Sequence, residues 1–125
     1  MRAYTVAAVA VTLKVPAKWI DNVLSHHTVP GVSKSRQGVS RKLSPQAVTI
    51  LEITLQLIRS ASVPLARALE IAQQVAHMET PEARMPLSRS VAIVVDTSAI
   101  RADTAARLAE AVEIAPRPRR GRPPR

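Results

Sequence analysis

Val6, Val9, Ala10 and Leu13 stand at the i, i+3, i+4, i+7 spacing that lays one apolar stripe along a helix, and Thr5 supplies a capping hydroxyl just before them. Lys14-Val15 reads as a tight turn. Pro16 suits the first position of a second helix, because its fixed φ fits there and the N–H it lacks would have no partner anyway. That helix runs to about Ser25, with Ile20, Val23 and Leu24 inward and Lys18, Trp19, Asp21 and Asn22 spread over the other faces. From His27 to Leu43 the period breaks. Pro30-Gly31, several serines and Gly38 interleave with Lys34, Arg36, Arg41 and Lys42, the pattern of a basic loop or hairpin.

Ser44-Pro45 then caps and opens the longest helix, Pro45 to about Ser60. Val48, Leu51, Leu55 and Ile58 form one apolar line and Ile50, Ile53 and Leu57 another, so most of its circumference must be covered. Pro64 opens a fourth helix with Leu65, Ala68, Leu69, Ala72 and Val75 on one side. Thr80 to Pro86, with two prolines, reads as a hinge. The β-branched run Val91 to Val95 reads as a buried strand, and Asp103 or Thr104 as the start of a final helix carrying Ala105, Leu108, Ala109 and Val112. A single strand leaves its backbone groups unpaired. It is therefore expected to pair with a copy of itself, with the basic hairpin, or with another protein.

Composition narrows the class. The chain has 125 residues, 46% of them hydrophobic, enough for one small domain with a core. It has no cysteine, which excludes disulfides, thiolate metal sites and a cysteine nucleophile. The net charge of +9 is unevenly placed: +6 over residues 1–46, −2 over 47–115 and +5 over 116–125. Two basic ends around an acidic middle point to a polyanionic partner. Tyr4 and Trp19 are the only aromatics, too few for a base-stacking sheet, so duplex DNA is preferred to single strands. Met1-Arg2 and the small apolar run after it imitate a secretory signal but lead into Lys14 and Lys18 without a cleavage site, and a soluble, cytoplasmic, nucleoid-associated protein is expected.

Two short helices, a basic hairpin and a long helix make the plan of a winged helix-turn-helix. Residues 4–76 resemble the DNA-binding domain of the MerR family. Tyr4-Thr5-Val6 opens it, Val15 closes the first turn, and Arg41-Lys42-Leu43-Ser44-Pro45 stands where that family has its wing-ending Arg-x-Tyr-Ser-Pro. Ile58-Arg59 and Val63-Pro64-Leu65 match its third and fourth helices. The resemblance implies a mainly α winged helix-turn-helix with a small wing hairpin, followed here by a short strand–helix extension. Where the family has Thr-Leu-Arg-Tyr-Tyr this chain has Trp19-Ile20-Asp21-Asn22-Val23, so an Arg that usually faces DNA becomes Asp21.

The expected organisation is a winged-helix domain at 1–78, a linker at 79–86, an extension at 87–115 for dimer or partner contact, and a disordered basic tail at 116–125. Lys18, Trp19 and Asn22 are expected in the major groove, with Asn22 able to read adenine and Lys18 a guanine or phosphate, and Trp19 serves either as a contact or as a lid over the core. Arg36, Arg41 and Lys42 are expected on the backbone. Arg120-Gly121-Arg122-Pro123 resembles the core of an AT-hook, which would place Arg120 and Arg122 in a narrow minor groove; a basic tail that touches only phosphates is the alternative.

These residues predict a DNA-binding transcriptional regulator, a repressor or nucleoid-associated factor, probing double-stranded DNA as a homodimer, with no enzymatic reaction, metal or cofactor. The rival reading is an antitoxin-type autorepressor whose residues 87–115 bind a protein partner by strand addition. A metal-dependent nuclease is the remote third. Val94-Val95-Asp96-Thr97-Ser98-Ala99 resembles the opening strand of PIN-type ribonucleases, but 29 residues after Asp96 are too few for that fold, and Asp96 is expected to be a strand-end cap. His26-His27 diverge by about 100° on a helix and have no third ligand near them.

Overall fold

The computed structural model describes residues 2–33, 41–78 and 80–114. The chain is mainly helical, with two small antiparallel sheets: β1 (Tyr4–Thr5), α1 (Val6–Leu13), α2 (Ala17–His26), β2 (Lys42–Leu43), α3 (Pro45–Ala61), α4 (Leu65–His77), β3 (Ala83–Pro86), β4 (Ala92–Val95) and α5 (Thr97–Ile114). Among the described residues, no helix is long and apolar enough to cross a membrane.

The local signals act where expected in the first half. The Thr5 hydroxyl accepts from the Ala8 N–H and starts α1, and the Ser44 hydroxyl does the same for Ala47 at the start of α3. Lys14 ends α1 in the left-handed region at φ 57°, with Lys14 N–H donating to Val11 O and Val15 N–H to Ala10 O. This paired closure satisfies two terminal carbonyls. Pro16 caps α2 rather than lying inside it.

β1 pairs with β2 in antiparallel register, Tyr4 opposite Leu43 and Thr5 opposite Lys42. Val32 bridges Leu43 on its other side, so the hairpin base and the N-terminal strand share one buried residue. Gly31, at φ 88°, lets this base close on α3. A Cβ there would lie 2.1 Å from the Ser44 hydroxyl oxygen, and the Gly31 carbonyl accepts from Ser44 N–H at 2.8 Å.

α3 is the central helix. Val48, Ile50, Leu51, Ile53 and Leu55 are all buried, because α4 and α5 both pack on it and α1 touches it as well. The apolar circumference read from the sequence is thus covered within one chain.

The second half departs from expectation. The run at 91–95 is not a lone strand: β4 pairs antiparallel with β3, Ala83 opposite Val95 and Pro86 opposite Ala92. A strand therefore stands inside the segment expected to be a linker, its Ala83 buried in the common core. The final helix begins at Thr97, not at Asp103 or Thr104, because the Asp96 carboxylate accepts from Ala99 N–H at 2.9 Å and caps it one residue after the strand ends. Val95, Leu108 and Ala111 are buried, and α5 lies against α1 and α3.

Polar groups pin α5 in place. Arg107 donates to the Thr12 carbonyl at 2.8 Å and to Glu52 Oε1 at 3.1 Å, and forms an ion pair with Asp103 at 2.8 Å. Burial lowers the pKa of this guanidinium, but Glu52 and Asp103 outweigh it and hold the group above its ordinary value. At the far end of the same helix, Arg101 donates to Ala76 O at 2.7 Å and Gln46 to the same oxygen at 2.9 Å, closing the end of α4.

Candidate nucleic-acid interface

The buried side of α2 is set by Ile20 and Val23, with Leu24 and Trp19 at its margins. At 100° per residue the opposite side collects Lys18, Asp21, Asn22, Ser25 and His26, all exposed. Of the three residues expected to read bases, Lys18 and Asn22 share this face. Trp19 does not: it is half-buried and packs on the hydrophobic core, the lid role of its two expected alternatives. The His26 ring donates from Nδ1 to the Asn22 carbonyl at 2.8 Å, and among the described residues no three His, Asp or Glu side chains gather to hold a metal.

The hairpin base stands against this face. Ser33 N–H donates to Lys42 O at 2.9 Å, and Lys42 N–H donates back to the Ser33 hydroxyl at 2.9 Å, fixing Val32-Ser33 beside β2. Arg41 crosses from the hairpin to α2. Its Nη1 lies 3.5 Å from Asp21 Oδ1 and donates to the Asp21 carbonyl at 3.3 Å, while Nη2 donates to Ser25 Oγ at 3.2 Å. Ser25 in turn donates to the Asp21 carbonyl at 2.7 Å.

This arrangement changes how two residues are read. Asp21 is the carboxylate that holds Arg41, and Arg41, expected on a backbone phosphate, has its charge engaged by α2. Lys18 has no ion-pair partner among the described residues, and Lys42 is half-buried in β2. Beside Arg41 an open cleft of about 440 Å³ runs between the end of α2 and the hairpin, lined by Leu24, His27, Thr28, Val29, Val32 and Ser33. Arg36, Arg120 and Arg122 lie outside the described residues.

The structure also brings forward residues that the sequence reading passed over. Ser25 and Ser33 organise the hairpin–helix junction, and neither carries a recognisable motif. Glu52 had a signal: a lone carboxylate between the two apolar lines of α3 requires a partner, and it finds Arg107. No known family model matches the chain, and no curated protein matches it.

Proposed function

We propose that this protein binds double-stranded DNA through a MerR-like winged helix-turn-helix and acts as a transcriptional regulator, a repressor or nucleoid-associated factor. α2 is the reading helix on this view, with Lys18 and Asn22 toward base edges or phosphates, and the hairpin that ends at Lys42 is the wing. The observation that carries the reading is the Arg41 junction. It clamps the base of a basic hairpin beside the exposed face of a short helix that follows a tight turn, which is the relation between wing and recognition helix that groove binding requires. The net charge of +9 supports a polyanion as partner, with the Arg-rich tail supplying further contacts.

The test is titration of labelled duplex DNA at several salt concentrations. Affinity falls with salt at a log–log slope of about −0.9 per neutralised phosphate, and Lys18→Ala lowers both affinity and slope. Salt-independent affinity, or none, overturns the reading. A chain ending at Ala115, compared on A·T-rich and G·C-rich duplexes, separates minor-groove insertion by Arg120 and Arg122 from simple phosphate contact.

A further inference from the structure

The β3–β4 hairpin has two outer edges, and they are built differently. Leu87 N–H donates to Val91 O at 2.8 Å, in register with the pairs Arg84–Val94 and Pro86–Ala92. Pairs alternate along an antiparallel ladder, so Met85–Ile93 and Ala83–Val95 exchange hydrogen bonds across the hairpin, while the backbone groups of Arg84, Pro86, Ala92 and Val94 point outward. Pro86 fits that parity, since its position requires no donor toward β4.

On the β3 side the outward positions are a proline, which has no N–H, and an exposed arginine, two devices that discourage strand addition. The β4 side carries neither. Its outward positions are Ala92 and Val94, and no backbone partner of either lies among the described residues outside the hairpin. Val94 is 53% exposed and Val91 54%. Along β4 runs a groove of about 440 Å³, floored by Ile53 and Leu57 of α3 and by Ile100 of α5.

We infer that β4 pairs antiparallel with β4 of a second copy of this chain, joining two hairpins into one four-stranded sheet across a two-fold axis. Charge selects this occupant. Arg89 lies in the turn three residues before β4 and Asp96 directly after it, so antiparallel copies bring the arginine-bearing turn of each toward the carboxylate of the other. The edge strand itself is uncharged and made of β-branched and small residues, and the register that centres Ile93 on its copy pairs Ala92 with Val94 twice, using the outward donors and acceptors of both strands.

Sedimentation equilibrium of the full chain without DNA tests this independently of the DNA-binding reading. The expected mass rises with concentration toward twice 13.5 kDa. Val94→Lys places like charges across the axis, and Val94→Pro removes an outward N–H that the hairpin does not use; each weakens dimerisation by about tenfold or more while circular dichroism stays unchanged. Arg84→Ala, on the other edge, leaves it intact. Amide exchange supplies a separate readout: at dimer concentrations the Ala92 and Val94 N–H groups are protected like that of Ile93, and on dilution these two become fast while Ile93 stays slow. A monomer at every concentration, a dimer indifferent to Val94→Lys, or a Val94 amide that exchanges freely in the dimer overturns the proposal. So does a chain that stays monomeric alone and uses the same edge only for a different protein.

Discussion

Two arginines each tie the chain to a carboxylate, one at the surface and one in the interior. Arg41 meets Asp21 at 3.5 Å, and that carboxylate is 54% exposed. Arg107 meets Glu52 at 3.1 Å, where the carboxylate is 8% exposed, its second oxygen has no partner among the described residues, and the arginine also closes the last turn of α1 through Thr12 O. Water can replace either member of the surface pair at little cost. Glu52 is nearly closed to water, so the interior pair is held by the penalty of leaving one charge behind. The surface clamp therefore sets the geometry of an exposed face, and the interior clamp sets whether α5 stays attached.

Arg107→Ala breaks the comparison most severely. It strands Glu52 in the core and is expected to lower stability by about 3 kcal/mol, read as a lower urea midpoint at unchanged slope. Pairing Arg107→Met with Glu52→Leu removes both charges at once and is expected to recover most of that loss, to within about 1 kcal/mol of the parent; a double variant no better than the single one would show that the charges contribute more than they cost. Arg41→Ala should change stability by less than about 1 kcal/mol, yet on the proposed reading weaken DNA binding by releasing residues 41–43 from α2. Asp21→Asn is the mildest in stability, within about 0.5 kcal/mol: Arg41 keeps its hydrogen bonds to the backbone carbonyl of residue 21 and to Ser25, so on the proposed reading the clamp holds and DNA binding tightens several-fold with the only acid removed from the face that carries Lys18. Since the guanidinium of Arg107 is held above its ordinary value, the stability it lends is complete below the unfolded value and is lost only as pH rises through the folded one; a stability profile through neutral pH should show no step from this group.

The same contrast explains what the sequence could reveal. Thr5, Pro16, Ser44-Pro45 and Pro64 act on their immediate neighbours, and the helices they open lie within a residue or so of where the pattern puts them. β3 was hidden because Pro81 and Pro86 bracket a segment whose strand character comes only from pairing with β4. The early start of α5 depends on Asp96, whose capping role was legible but was assigned to the strand before it rather than to the helix after it. Arg41 was legible as a cation on a hairpin, but its engagement with Asp21, twenty residues earlier, was not. Contacts between residues distant in the chain leave no periodic trace.

The reach of Arg107 back to Thr12 spans 95 residues. During synthesis α1, α2 and α3 leave the ribosome well before the residue that neutralises Glu52 and closes α1. Until α5 follows, the front of the molecule carries a carboxylate that must stay wet, which holds its core ajar. α5 is thus the latch of α1.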